Sequence, residues 1–308
     1  MGSDAALTSA IADYLSFAAI EKGLSKNTIA AYRLDLAGFS EFMAGGGKTI
    51  EDVSPVLMED FLGWLRGANS TKPRGSESSI SRNIVCVRNL FKFIATERKI
   101  ANPIKNFAPP PIPKRLPKAL KVSEIVTLIE SAKMGEDEFT LRNCALIEIL
   151  YATGGRVSEI INLELADIAE LDETFTVKLV GKGSKERIVP IGNFARSSLE
   201  IYLIRGRPAL AKTKIIQKVF LNSRGNALSR QSAWEIIAGA AERGNLATHV
   251  TPHSLRHSFA THLLDGGADI RVVQELLGHS SVTTTQIYTL VTIDKLRESY
   301  ASSHPRAK

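Results

Sequence analysis

Four histidines and a tyrosine lie within residues 251–289, TPHSLRHSFATHLLDGGADIRVVQELLGHSSVTTTQIYT. Arg256 and His257 follow His253 by three and four residues, so in a helix all three can share one side. Tyr288 lies near the end of the segment. Imidazole and guanidinium groups donate hydrogen bonds to phosphate oxygens, and a tyrosine hydroxyl is a nucleophile. This set of side chains can therefore bind and attack a phosphate.

The spacing of apolar residues predicts a helix that presents the first part of this set. Thr251 is a suitable N-cap, Pro252 fits a first helical turn, and Gly266–Gly267 ends the helix. One stripe of the helix is expected to be buried: Leu255, Phe259, His262 and Leu263. We therefore predict that His262 is a core residue.

Two short helices are predicted to follow. The Asp269 carboxylate can cap the first of them, and Gly278 stops it directly before His279. A further short helix is expected to hold Tyr288. The break at Gly278 would let the Tyr288 helix shift separately from the preceding one.

Two cations earlier in the chain also lie where a side chain is well presented. Arg156 follows Gly154–Gly155 at the predicted start of a helix, where main-chain N–H groups and a guanidinium together bind oxyanions, and Glu159 can orient it. Lys182 lies on a glycine-bearing turn, 181–186. Taken singly, Arg156 is more typical of a surface ion pair and Lys182 of an exposed turn residue.

The composition is that of a globular protein and favours an anionic partner without proving one. Among 308 residues, 39 are Lys or Arg and 32 are Asp or Glu, which gives a net charge of +7 and a pI of about 9.4. No apolar run reaches the ~18 residues of a membrane span, and no signal peptide is recognisable. Cys86 and Cys144 are expected to be core thiols of a reduced, cytoplasmic protein.

Apolar periodicity divides the chain into two parts. Helices are expected over 5–23, 27–42, 55–67 and 78–99, with Asn27 as the cap of the second. The run FAPPPIPKRLPK contains five prolines, which no helix or central strand accommodates. We therefore expect an all-α first domain over 1–106, a basic linker over 107–120 and a second domain over 121–308.

The second domain is predicted to mix helices with a few strands. Helices are expected over 122–132 and 138–152 and again after Gly155. Strands are expected over 174–180 and 187–191, joined by the turn that holds Lys182, with Val219–Leu221 as a possible third strand.

Three simpler interpretations compete with phosphate chemistry. Gly45–Thr49, GGGKT, resembles the end of a phosphate-binding loop, but Phe42 stands where that motif needs a glycine. The histidines of 253–262 could bind a metal, but no glutamate follows His253 and Arg256 would place a cation beside the ion. The helices of 269–288 could form the helix-turn-helix of a non-catalytic DNA-binding protein.

Considered jointly, six residues resemble the signature of the tyrosine recombinase (phage integrase) family: Arg156, Lys182, His253, Arg256, His279 and Tyr288. The resemblance covers both domains and the linker. It is carried by LYATGGRVSE (150–159), GKGSKERIVPIG (181–192), HSLRHSFATHLL (253–264), LLGHSSVTTTQIYT (276–289) and HPRAK (304–308).

Within the family the chain is most similar to the Xer subgroup of bacterial chromosome-dimer resolvases. The PKRLPKAL linker favours the XerD type over the XerC type. The chain departs from the family at Gly155, where a bulky apolar residue is usual, and we expect this to loosen the turn before Arg156.

The resemblance implies a mainly α fold. It comprises an N-terminal four-helix SAM-like core-binding domain and a mixed α+β catalytic domain with a small antiparallel sheet. The family's two domains clamp the DNA duplex, and a C-terminal segment, roughly 292–308, docks on a neighbouring protomer.

The resemblance also implies DNA strand transfer through a 3′-phosphotyrosyl intermediate, with no metal, nucleotide or other cofactor. Tyr288 is then the nucleophile, Lys182 the candidate general acid and His253 an acid or base. Arg156, Arg256 and His279 bind the non-bridging phosphate oxygens, and Glu159 and His257 support them. Expected DNA contacts are Lys26, Arg33, Arg82, Arg88, Lys92, Lys114 and Arg115.

The implied partners are a double-stranded DNA recombination site, a sister Xer recombinase in a heterotetramer that forms a Holliday junction, and an FtsK-type DNA translocase. The expected role is resolution of chromosome dimers at cell division, in the bacterial cytoplasm at the nucleoid, without a membrane. A phage or transposon integrase is the alternative. Integrases often carry an additional arm-binding domain, whereas here the first domain begins almost at residue 5.

Overall fold

The computed structural model describes residues 4–67, 75–111, 119–168, 176–278 and 293–307. Its contacts divide the chain into two compact units, Met1–Arg115 and Leu116–Lys308. Most of the proline-rich segment, 112–118, lies outside the described residues. Of the helices within the described ranges, none has the length and apolar character that a membrane crossing requires.

The first unit is a bundle of helices, as the apolar periodicity predicts. Its helices are α1 (Asp4–Ile20), α2 (Lys26–Gly45), α3 (Pro55–Leu65) and α4 (Glu77–Arg98), with a single 3-10 turn at Ile50–Asp52. The predicted cap of α2 is wrong: the Ser25 hydroxyl accepts from the Thr28 N–H at 3.3 Å, and Asn27 lies inside the first turn. An extended serine directly before the helix satisfies the free N–H groups two residues earlier than expected.

Aromatic rings fill the core of the first unit. Phe39 and Phe61 meet edge to face at 5.0 Å, and Phe91 packs edge-on against Phe39 at 6.2 Å. Both Phe39 and Phe61 are fully buried. The Cys86 thiol is also fully buried, which confirms its predicted place in the core, as burial of Cys144 does in the second unit.

The second unit is built around α6, which is buried on almost every side from Cys144 to Thr153. Its helices are α5 (Val122–Ala132), α6 (Glu138–Thr153), α7 (Val157–Ile161), α8 (Asn193–Ile201), α9 (Arg207–Ala211), α10 (Arg230–Arg243), α11 (Pro252–Asp265), α12 (Ile270–Leu277) and α13 (Ile293–Ser303). Short turns of other helix types cover Leu165–Ile168, Lys182–Ser184 and Tyr202–Gly206.

Two strands, β1 (Thr176–Val180) and β2 (Glu186–Pro190), form an antiparallel hairpin in which Leu179 pairs with Arg187. The expected third strand does not form among the described residues. Val219–Leu221 is fully buried and has only isolated bridges at its ends. Its main-chain groups are bonded piecemeal. The Tyr202 hydroxyl donates to the Val219 carbonyl and accepts from the Leu221 N–H, while the Val219 N–H donates to the Leu163 carbonyl and the Phe220 carbonyl accepts from the Leu228 N–H.

The two helices of the 251–278 segment form as predicted. The Thr251 hydroxyl caps α11, the Asp269 carboxylate caps α12, and Gly278 ends α12 in a left-handed conformation at φ 64°. His262 is buried, and its Nδ1 lies 2.8 Å from the Tyr151 hydroxyl, which confirms that it is a core residue.

The C-terminal residues pack against α6 within the second unit. Arg306 is buried and bonded to Glu148, with Nε 3.1 Å from Oε2 and Nη2 bonded to Oε1. His304 is also buried and stacks on Tyr300. Docking of this segment on a neighbouring protomer stays a prediction.

Candidate active site

The turn between α6 and α7 holds Arg156 at the surface. Gly154 adopts φ 56°, and a Cβ there would lie 2.3 Å from the Phe259 ring, so only glycine fits. A Cβ at Gly155 would lie 2.7 Å from Ile160 Cδ1. The space that a bulky residue would occupy is thus filled by Ile160, and the looser turn stays a prediction.

Arg156 is the N-cap of α7, and Glu159 fixes it twice. The Arg156 N–H donates to Glu159 Oε2 at 2.8 Å, and its Nη1 donates to Oε1 at 2.8 Å. The Arg156 side chain stays 43% exposed, whereas the Glu159 side chain is 3% exposed. A buried carboxylate therefore aims an accessible guanidinium outward, as the sequence reasoning expected of Glu159.

Arg256, on the second turn of α11, is buried and held by two main-chain carbonyls. Its Nη1 donates to the Gly154 carbonyl at 2.8 Å and its Nη2 to the Leu277 carbonyl at 2.7 Å. Burial, together with the positive charge of nearby Arg156, lowers the pKa of Arg256 to about 10. At neutral pH it still carries its charge, with few groups around it to neutralise that charge.

Arg187, on β2, completes the cluster. Its Nη2 donates to Glu159 Oε2 at 2.7 Å, and its Nε donates to the Leu276 carbonyl at 2.8 Å. Burial acts to raise the pKa of Glu159, but the hydrogen bonds from Arg187 and Arg156 outweigh it and hold the pKa below its ordinary value. Glu159 therefore remains a carboxylate at neutral pH.

The structure thus brings together three arginines and one glutamate, with two positive charges in excess. Positive charge that is fixed in place and partly shielded from water binds a phosphate dianion or a phosphorane-like transition state more strongly than flexible surface lysines do. The arrangement can stabilise negative charge on the non-bridging oxygens of a phosphodiester.

The remaining predicted residues are described to different extents. His253 is exposed on the first turn of α11, three residues before Arg256, and His257 is half-buried on the same helix. Lys182 lies in the turn between β1 and β2, where the main chain alone is described. His279 and Tyr288 lie outside the described residues, as does the short helix predicted for Tyr288.

The residues expected to contact DNA in the first unit differ in exposure and in whether their side chains already bond other protein groups. Lys26, Arg33, Arg82 and Lys92 are exposed. The Arg82 guanidinium donates two hydrogen bonds of 2.9 Å to the buried Asp35 carboxylate. Arg88 is half-buried and reaches the Lys105 carbonyl at 3.4 Å. The expected linker contacts Lys114 and Arg115 lie outside the described residues.

Arg187 is the member of the cluster that sequence reasoning missed. One signal was present: along β2, Arg187 alternates with the exposed Glu186 and Ile188 and shares the inward side with buried Val189. A charged side chain on the buried side of a strand needs a charged partner.

Among the described residues, no group of three His, Cys, Asp or Glu side chains could hold a metal ion.

Comparison with known proteins decides the family. Residues 118–294 match the phage integrase family, and residues 11–98 match the N-terminal SAM-like domain of phage integrases. The chain belongs to the tyrosine recombinase (phage integrase) family. It is therefore an enzyme of the site-specific DNA recombinase class, and the interpretation of 269–288 as part of a non-catalytic repressor is wrong.

Relatives that match along nearly the whole chain are recombinases of the XerD type. The chain is 46% identical over 303 residues to tyrosine recombinase XerD of Mycobacterium tuberculosis (96% of this chain, 97% of the relative). It is 43% identical over 295 residues to XerD of Halalkalibacterium halodurans (96% and 97%).

Solved structures share the mainly helical fold with its small antiparallel sheet. XerH bound to palindromic difH, in a post-cleavage complex, is 27% identical with a TM-score of 0.65 (89% of this chain, 79% of that one). A lambda integrase tetramer bound to a Holliday junction is 16% identical with a TM-score of 0.67 (92% and 80%), which is a likeness of fold alone.

Proposed function

We propose that this recombinase breaks and rejoins DNA through a covalent bond to Tyr288. The tyrosine oxygen attacks the scissile phosphorus, the bond from phosphorus to the 5′ oxygen breaks, and a 3′-phosphotyrosyl link forms. The tyrosine proton passes to His253, and the departing 5′ oxygen takes a proton from Lys182. One phosphoester replaces another, so no nucleotide is consumed.

The observation that carries this proposal is the arginine cluster. Arg156 is accessible and oriented by a buried carboxylate, and Arg256 is buried, charged and fixed by two carbonyls. Such groups do not reorganise when charge develops on the phosphate, which is where electrostatic catalysis gains most. His279 would add a further hydrogen bond to a non-bridging oxygen.

DNA binding is proposed for both parts of the chain, with 1–106 as the core-binding domain, 107–120 as the linker and 121–308 as the catalytic domain. The exposed cations Lys26, Arg33 and Lys92 are free to contact phosphates, and Lys114 and Arg115 would add contacts from the linker. Binding through phosphate contacts falls steeply with salt concentration, because condensed counterions are released.

The biological reaction that we propose is resolution of chromosome dimers at cell division, in the bacterial cytoplasm. It involves four protomers with a sister Xer recombinase, a Holliday junction and activation by an FtsK-type DNA translocase. Near-full-length identity of 46% to a XerD protein supports this role over that of a phage integrase. A solved relative, the site-specific recombinase XerH, is bound to a palindromic difH substrate in a post-cleavage complex, which supports site-specific cleavage by this chain as well.

A nicked duplex that carries the chromosomal dimer-resolution site tests the chemistry. After cleavage the short strand beyond the nick diffuses away, so the covalent intermediate accumulates. We expect an SDS-stable protein–DNA adduct with the wild-type chain and none with Tyr288→Phe, although the variant binds the same duplex. An adduct in Tyr288→Phe would refute the assignment of the nucleophile.

A further inference from the structure

Arg187 lies where three parts of the active site meet. It belongs to β2, directly after the hairpin turn that holds Lys182. Its Nη2 is 2.7 Å from the carboxylate of Glu159, and its Nε is 2.8 Å from the Leu276 carbonyl in the last turn of α12. The side chain is 8% exposed, so it is not available to a phosphate in solution.

The two carboxylate oxygens of Glu159 are divided between two arginines. Oε1 accepts from Arg156 Nη1, and Oε2 accepts from both Arg187 and the Arg156 N–H. Without Arg187, the 3% exposed carboxylate would keep a single charged partner, and its position would be shared among more orientations. Arg156 would then no longer be aimed in one direction.

Arg187 also acts on the end of α12. The Leu276 carbonyl accepts from Arg187, and the next carbonyl, of Leu277, accepts from Arg256. Carbonyls of a last helical turn lack partners within the helix and interact favourably with cations. Directly after them, a Cβ at Gly278 would lie 3.0 Å from Arg187 Nη1, so the guanidinium packs against the residue that precedes His279.

We propose that Arg187 is a positioning residue for strand cleavage, which acts by holding Glu159 and so the Arg156 clamp. This rests on the proposed transesterification. Lysine cannot replace it fully, because its single nitrogen cannot occupy both positions, Nε and Nη2, from which the planar guanidinium donates to the Leu276 carbonyl and to Glu159. The route through Glu159 predicts a defect in stabilising charge on the phosphate, and not in protonating the leaving oxygen.

The test compares wild-type, Arg187→Met and Arg187→Lys full-length chains by single-turnover adduct formation on the nicked duplex at saturating protein. We expect Arg187→Met to form the adduct about 100-fold more slowly, as loss of one preorganised group costs. Arg187→Lys should fall between. DNA affinity, from fluorescence anisotropy, should stay within about threefold, because the change acts on the transition state and not on binding.

Two modified duplexes separate positioning from a general loss of structure. A methylphosphonate at the scissile position removes the charge that the clamp neutralises, so the defect of Arg187→Met should shrink to about threefold or less. A 5′-bridging phosphorothiolate supplies a leaving group that needs no proton, so the defect should persist. Equal defects on all three duplexes, or rescue by the phosphorothiolate, would overturn the proposal.

Lys178→Met is the matched control. Lys178 lies on β1 of the same hairpin, is 42% exposed, and pairs with Asp167 at 3.4 Å, so its loss should leave cleavage unchanged. If Arg187→Met does not fold, the substrate pattern of Arg187→Lys decides. An inactive wild type would contradict the proposed function, whereas an active wild type with a fully active Arg187→Met would contradict this inference alone.

Discussion

Replacement of one partner in the buried ion pair between Glu148 and Arg306 is predicted to destabilise the protein more than replacement of both. Glu148, on α6, is 1% exposed and Arg306 is 8% exposed. The guanidinium bonds both carboxylate oxygens and also covers the Phe194 ring, with Cζ 4.1 Å from its centroid. Arg306→Met keeps the apolar stem and removes the charge, which leaves the carboxylate buried without its partner.

Removal of one partner of a buried pair costs about 3 to 5 kcal/mol, whereas apolar replacement of both is often neutral or stabilising. We therefore expect Arg306→Met to lose about 3 to 5 kcal/mol of unfolding free energy, and the double variant Glu148→Leu/Arg306→Met to recover most of it. The loss of unfolding free energy is smaller if the C-terminal segment detaches before the rest of the second unit unfolds. Faster amide exchange in α13 identifies that case.

The chain offers a clean reporter for this measurement. It has two tryptophans, of which Trp64 belongs to the first unit and Trp234 to the second. Urea unfolding followed by Trp234 fluorescence in a Trp64→Phe background reports the second unit. A double variant as unstable as Arg306→Met would refute the reasoning, since it would show that packing, and not the unpaired carboxylate, determines the loss.

Two further predictions concern His304 and Gly154. Burial lowers the pKa of His304 to about 3, so the C-terminal segment binds fewer protons when it is packed against its own unit than when it is detached. Packing of the C-terminal segment against its own unit is therefore strongest above the ordinary histidine pKa near 6.5, and its free energy weakens by about 1.4 kcal/mol on acidification to about pH 5.5. Protection of the α13 amides from exchange should therefore depend on pH more steeply in wild type than in His304→Gln. The comparison with the variant subtracts the contribution of all other titrating groups. Gly154→Ala should destabilise the second unit by about 2 to 5 kcal/mol in the Trp234 assay, because it adds left-handed strain and overlap with Phe259. Gly155→Ala, whose nearest contacts are side-chain atoms of Ile160 and Thr153, should cost clearly less.

Local signals predicted most of the helices and the ends that matter for the site. Thr251, Asp269 and Gly278 act through hydrogen bonds to neighbours two to four residues away, so their sequence context is sufficient to identify them. The same holds for the turn that presents Arg156 and for its orientation by Glu159, three residues later. Where the chemistry depends on local geometry, the sequence is informative.

Contacts between distant residues account for what the sequence did not predict. Arg187 meets Glu159 across 28 residues and Leu276 across 89, and no local pattern encodes either contact. The third strand failed for a similar reason. The Tyr202 hydroxyl and the Arg142 guanidinium, which is 79 residues from Leu221, bond main-chain groups of Val219 and Leu221 that a continuous strand pairing would have used. The main chains of Leu163 and Leu228 bond the Val219 N–H and the Phe220 carbonyl singly.

The arginine cluster has a consequence for how cleavage is coordinated. Arg256 binds the Leu277 carbonyl and Arg187 binds the Leu276 carbonyl. The residues proposed to hold the phosphate clamp thus also fix the point at which the chain leaves α12 toward Tyr288. Coupling between two sites is reciprocal, so we expect a change in the direction of that segment to alter the clamp as much as phosphate binding alters the segment. A cleavage defect in Arg187→Met that a methylphosphonate relieves would place the effect of Arg187 in the clamp and not in the general acid.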